Sequence, residues 1–151
     1  EIATRMGLSD DGVDHVILAA LIHDIGKIEV PSEILSKPGT LSSLELQLIR
    51  THPEAGRRLL SGLQTPWPLA DIVFQHHERL DGSGYPQGIS GEAILLEARI
   101  IAVADVVEAM SSHRPYRPAW PVETVVAEMT RLRGVAFDPA AVDAWLEIAA
   151  Q

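Results

Sequence analysis

His23-Asp24, His52, His76-His77 and Asp105 are of the side-chain types that can ligate divalent first-row metals, and they are strung along a chain of 151 residues with no cysteine. Without thiolates, any metal must be held by imidazole nitrogen and carboxylate oxygen, a donor set suited to iron, manganese or zinc rather than calcium. Adjacent helix positions point about 100° apart, so His23 and Asp24 can share one ion only near a helix end, or if Asp24 bridges two. That pattern suits a two-metal site. Cations roughly 3.5–4 Å apart generate hydroxide at neutral pH and clamp both oxygens of a phosphoryl displacement.

Each residue alone has a plainer reading. A single core histidine is usually satisfied by a carbonyl, and an adjacent His-Asp pair arises by chance in many proteins. Asp105 is the one carboxylate in the nearly all-apolar stretch of residues 98–107 and calls for a cation or hydrogen-bond donors, with a helix-to-helix hydrogen bond or salt bridge as the ordinary answer. Lys27, four residues after His23, shares its face if the helical turn persists; there it would neutralise a phosphate oxygen or protonate a leaving alkoxide, or simply complement the helix dipole.

Segment 76–86 reads His-His-Glu-Arg-Leu-Asp-Gly-Ser-Gly-Tyr-Pro. Two histidines run directly into a loop whose glycines permit positive φ and close approach, with Pro86 stiffening its end. Tyr85 is set to stack on a base or bond a phosphate, or to pack against its own loop. Arg114 and Arg117, in His113-Arg114-Pro115-Tyr116-Arg117-Pro118, can grip a diphosphate or form a solvated helix-end cluster. Arg57, Arg58, Arg131 and Arg133 read as exposed helix faces, and Trp67, Trp120 and Trp145 as core or interface anchors.

The elements that must position these groups are helical throughout. Ser9 is an N-cap for a helix ending at Gly26, with Val13, Val16, Ile17, Ala20 and Leu21 at helical spacing. A loop holding Pro31, Pro38 and Gly39 follows. Ser42 with Glu45 forms a capping box for a helix ending near Thr51, and Thr51 with Glu54 repeats the pattern for one running to about Leu60. A helix after the Pro66-Trp67-Pro68 turn carries Leu69, Ile72 and Val73 and closes on His76 and His77. After a loop over 81–91 come helices over about 97–111, 122–133 and 139–149, the last capped by Asp138 before Pro139. The helix over 97–111 reads as buried on most faces. The expectation is one all-α domain over 1–151, a bundle of six or seven helices.

Twelve basic against 21 acidic residues, a formal charge of −9, oppose binding to a nucleic-acid polymer. A small phosphate ester stays compatible, because bound cations reverse the local field. No apolar run has the length of a membrane span and no signal peptide is apparent, so a cytoplasmic location is expected. The start at Glu1, without methionine and inside an apparent helix turn, reads as a cut from something longer.

His23-Asp24-Ile25-Gly26-Lys27, His52-Pro53, segment 76–86, Asp105, Arg114-Pro115-Tyr116-Arg117 and Phe137-Asp138-Pro139 resemble, in order and spacing, the HD-GYP domains of the HD metal-dependent phosphohydrolase superfamily. The resemblance covers almost the whole chain. It implies an all-α fold and hydrolysis of cyclic di-GMP to linear pGpG, and in some members to GMP. It further implies two or three divalent metals, often iron or manganese, held by His23, Asp24, His52, His76, His77 and Asp105 with Asp24 bridging. Lys27 would assist at the phosphate, and Tyr85, Arg114 and Arg117 would contact substrate. Family members carry a further histidine upstream of Glu1, which leaves this stretch weakened or inactive alone; His113 stands where many have aspartate. The resemblance also implies an upstream receiver or sensory domain and admits diguanylate cyclase partners and a homodimer. The competing readings are an inactive module that binds cyclic dinucleotides or partner proteins, and a phosphohydrolase acting on nucleotide monoesters.

Overall fold

Capping residues mark where several of the helices begin. In the computed structural model, which describes residues 1–113 and 118–151, the Ser9 Oγ accepts from Gly12 N at 3.2 Å and opens a helix at Asp10. Ser42 and Glu45 form the expected reciprocal capping box. Asp138 Oδ1 accepts from Ala140 N and Ala141 N, while its Oδ2 takes a 2.7 Å bond from Arg99. One aspartate thus caps the last helix and ties it to another.

The described residues form α1 (Ile2–Arg5), α2 (Asp10–Ile22), α3 (Ser32–Leu35), α4 (Ser43–Ile49), α5 (His52–Leu60), α6 (Leu69–Gln75), α7 (Leu96–Ser111), α8 (Val122–Leu132) and α9 (Pro139–Ala149). Tight 3-10 turns occupy Ile25–Glu29 and Gly91–Ala93, and no strand occurs among the described residues. α1 and α3 are single turns of 4 residues. The remaining helices match the six or seven that hydrophobic periodicity predicts.

The core gathers Ile72 and Val73 of α6, Ile100 and Val103 of α7, Met129 of α8 and Val142 of α9, all 2% exposed or less. Each such side chain contributes roughly 1.5–3 kcal/mol relative to exposure. Trp145 closes this core, Trp67 packs at its edge and stacks on His15 at 4.3 Å, and Trp120 is 37% exposed, so two of the three tryptophans anchor as expected.

Three local expectations are corrected. Thr51 does not cap α5: its backbone is already helical, and its hydroxyl donates to Leu48 O at 2.7 Å. The near-continuous run from α4 into α5 leaves no extended residue to serve as a cap, and Pro53 has no N–H to be capped. α7 is buried mainly over its first half and again at Met110; Ala104 and Glu108 are exposed, and Val106 and Val107 are half-buried, where the helix borders an open cleft. Finally, the α-helical turn does not persist past His23. Lys27 N bonds Asp24 O at 2.9 Å in a 3-10 turn, which places Lys27 beside Asp24 rather than beneath His23.

That turn lies directly on α5. A Cβ on Gly26 would stand 1.9 Å from the His52 carbonyl oxygen and 2.5 Å from Gly56 N. Only glycine allows the two backbones this approach, and the approach holds Asp24 at a fixed distance from His52.

Candidate metal centre

His23 is the C-cap of α2, His76 is the C-cap of α6, and His52 follows the end of α4 by three residues. Helix ends leave carbonyls without intrahelical partners. Each of these histidines turns Nδ1 onto such a carbonyl three residues back: Ala20 O at 2.7 Å, Ile49 O at 2.8 Å and Val73 O at 2.5 Å. A carbonyl only accepts, so Nδ1 carries the proton and the Nε2 lone pair is free in the neutral ring. Three helix termini therefore aim unprotonated nitrogens in a set direction.

The nitrogens meet one another and Asp24. His52 Nε2 lies 3.3 Å from His76 Nε2 and 3.2 Å from Asp24 Oδ1. Asp24 Oδ1 is buried and accepts no hydrogen bond. Donor atoms of Asp24, His52, His76 and His77 all fall within 4.8 Å of one another. Lone pairs facing lone pairs around a buried carboxylate oxygen repel unless a cation lies among them, so this donor set fits a metal ion.

His23 and Asp105 form a second group sharing the same aspartate. His23 Nε2 is 3.4 Å from Asp24 Oδ2 and 3.8 Å from Asp105 Oδ1, while Asp105 Oδ2 is 4.0 Å from His77 Nδ1. All six side chains singled out in the sequence converge, with Asp24 presenting one oxygen to each group. Lys27 joins them through a 2.5 Å bond from Nζ to Asp24 Oδ2.

The charges are arranged to match. Burial would raise the Asp24 carboxyl, while the Lys27 ammonium bonded to its Oδ2 pulls the other way, and the carboxyl lies below its usual range. Burial pushes Asp105 above its usual range, and the Asp24 charge adds to that effect against the pull of His23 and Lys27. Burial, with His23 and His52 nearby, depresses His76 to about 3, and His77 is depressed in the same way by burial beside His76 and His52. Both imidazoles are thus neutral at pH 7, the form that ligates.

Segment 76–86 folds back over this cluster. A Cβ on Gly84 would lie 2.5 Å from Glu78 Cα, so the loop packs directly on the backbone it left, and the Tyr85-Pro86 peptide is cis. Tyr85 stacks on His77 with ring centroids 4.7 Å apart, and burial pushes its phenol up to about 12. Arg114 and Arg117 lie outside the described residues.

Two residues passed over in the sequence also belong here. The Arg50 guanidinium sits 5.1 Å from the Tyr85 ring centroid, and Glu78, 2% exposed, accepts from Gln87 N at 2.7 Å to fasten the loop. Arg50 precedes His52 by two positions, the one signal available for it; a glutamate between two histidines and a glycine-rich loop was the signal for Glu78.

Comparison with known proteins agrees with this geometry. The HD domain family model matches residues 1–141. The chain is 48% identical over 152 residues to the cyclic di-GMP phosphodiesterase response regulator RpfG of Xanthomonas campestris, covering 99% of this chain and 40% of that protein. It is 41% identical over 138 residues to the 3'3'-cGAMP-specific phosphodiesterase 3 of Vibrio cholerae, covering 91% of this chain and 30% of that one. The chain thus spans two fifths or less of the length of these relatives. Bd1817, a HDG"Y"P protein from Bdellovibrio bacteriovorus, shares the fold at a TM-score of 0.75 and 18% identity, over 99% of this chain and 48% of its own. The chain belongs to the HD domain family.

Proposed function

We propose that this chain is the catalytic domain of a metal-dependent phosphodiesterase that linearises cyclic di-GMP to pGpG. The observation that carries the reading is the set of imidazoles whose protons are held on their own helix-end carbonyls, leaving bare nitrogens around the unpartnered oxygen of Asp24. His52, His76 and His77 with Asp24 would hold one ion, and His23 and Asp105 with Asp24 a second, iron or manganese by donor type and zinc by the same chemistry. Such ions supply an activated nucleophile and neutralise charge building on the phosphoryl oxygens.

The chain's own residues do the rest. Asp24 joins the two groups and sets their spacing. Lys27, tethered to Asp24, stands where its ammonium can pass from that carboxylate to a phosphate oxygen as the diester enters. Tyr85, neutral and held against His77, walls the site and offers a hydroxyl to the substrate. The full-length relatives named above act on cyclic dinucleotides, which supports that substrate class here, and their greater length supports a regulatory domain elsewhere in the same polypeptide.

The test uses full-length protein loaded anaerobically with iron or manganese, mixed with cyclic di-GMP and followed by product chromatography. Metal-dependent appearance of pGpG is expected. No product, where an established phosphodiesterase yields it alongside, refutes the catalytic reading; tight binding without product would leave a nucleotide-binding module.

A further inference from the structure

With 12 basic residues against 21 acidic ones, a cation in this chain has carboxylates to spare. Among the described residues every lysine and arginine but two pairs with one. Of those two, Arg79 is half-buried, lies over the Phe137 ring and donates to the Glu78 carbonyl at 2.8 Å. Arg50 is exposed, and its guanidinium forms neither an ion pair nor a hydrogen bond. What it touches is the Tyr85 ring, 5.1 Å from the centroid, and Tyr85 in turn stacks on His77 at 4.7 Å. The one exposed arginine without a carboxylate thus stands two ring contacts from the metal cluster.

Its place in the fold does not explain it. Arg50 is the C-cap of α4, where a cation ordinarily bonds the last carbonyls and complements the helix dipole. Those carbonyls are already taken: Leu48 O accepts from the Thr51 N–H and hydroxyl, and Ile49 O from His52 Nδ1. A cation over a ring face is attracted without using any of its N–H donors, so the fork of the guanidinium stays open. An open fork beside a diester site matches a phosphate, which arginine binds through two parallel bonds. A cyclic dinucleotide carries two phosphodiesters on one macrocycle, so placing one on the cations holds the other nearby. Resting on the phosphodiesterase reading of the adjoining cluster, we propose that Arg50 binds the phosphate that is not cleaved, and so selects substrates with two phosphodiesters over those with one. That phosphate is unchanged by the reaction, so the contact serves affinity rather than kcat.

Equilibrium binding separates this proposal from the catalytic one. Full-length, metal-loaded protein is titrated calorimetrically with the bisphosphorothioate of cyclic di-GMP, which resists hydrolysis, and with GpG, which has a single phosphate. Wild type, Arg50→Leu and Arg50→Lys are compared, and circular dichroism and metal content verify that each folds. Arg50→Leu should weaken the cyclic ligand about ten- to hundredfold, the loss of a charge-assisted pair of bonds, and GpG about threefold or less. Arg50→Lys, which keeps the charge without the fork, should recover part of that loss. In a Tyr85→Ala background, removing Arg50 should still weaken the cyclic ligand about fivefold or more, because the contact is direct. Equal losses on both ligands, no loss on either, or a loss that vanishes once Tyr85 is alanine would make Arg50 a support for the loop and overturn the proposal. If the wild type shows the expected pattern but forms no pGpG, the Arg50 assignment stands and the catalytic reading fails; turnover with the wrong pattern does the reverse. Failure of the wild type to bind the cyclic ligand at all overturns both.

Discussion

Gly26→Ala puts one methyl group where the site has no room for it. Its Cβ would lie 1.9 Å from the His52 carbonyl oxygen, against the 3.0 Å that real Cβ contacts essentially never undercut, so the Ile25–Glu29 turn and α5 must part by about 1.1 Å. The oxygen belongs to backbone, inside a helix whose His52 and Pro53 are buried, and cannot swing aside. Overpacking of this kind costs about 1–3 kcal/mol, and more where the clash is with backbone. For a domain of this length that lowers Tm by roughly 2–4 °C per kcal/mol. The shift also carries Asp24 away from His52, now 3.2 Å apart, and a displacement near 1 Å at a reacting centre costs about 10²-fold in rate. Thermal melts in chelator isolate the packing cost, and metal titration followed by turnover isolates the site. A variant that melts within about 1 °C of wild type and loads metal with unchanged affinity would refute the argument that this glycine sets the spacing of the cluster.

Lys27→Met should retain metal, because it frees Asp24 Oδ2 of a rival cation, yet lose about 10²–10³-fold in kcat; loss of metal content instead would make Lys27 a structural prop. Below pH 6.5 the metal-free protein should lose stability at up to about 2.7 kcal/mol per pH unit, about 1.4 for each of His76 and His77, because in the unfolded chain both take a proton while in the folded one both are depressed by burial and do not. Urea midpoints in chelator between pH 7 and 5 measure that slope, and His76→Gln should cut it by about half; an identical slope in the variant counts against the assignment. Glu78→Ala strips the Gln87 N–H of its acceptor, costing about 1–3 kcal/mol. Limited proteolysis within residues 81–91 should accelerate, and unchanged cleavage would show that the loop does not depend on this anchor.

Much of this centre is readable before folding because its constraint is chemical. His23-Asp24, His52, His76-His77 and Asp105 sit at helix ends or interrupt apolar helices, where a polar group needs a partner, and the structure assembles all six. Hydrophobic periodicity gives the long helices for the same reason: α2 and α7 must bury a stripe to be stable at all. What the pattern does not carry is set by tertiary contact. Lys27 pairs with Asp24 because the chain tightens into a 3-10 turn against α5, and that tightening depends on the approach at Gly26, visible only once both backbones are placed. The Thr51-Glu54 motif reads as a cap but meets no extended residue, since α4 runs into α5. Arg50 has no motif of its own; its position over Tyr85 follows from the loop of residues 81–91 folding back onto the histidines.

Because His23, His52 and His76 are each bonded to a carbonyl of the turn preceding them, a ligating nitrogen cannot move without loosening the end of its own helix. Ion occupancy and fraying of α2, α4 and α6 are then one equilibrium seen from two sides. A loaded centre rivets three stretches of chain that are remote in sequence, and its effect should reach the amide exchange of those final turns, slowing them together on loading and releasing them together when the ion is withdrawn.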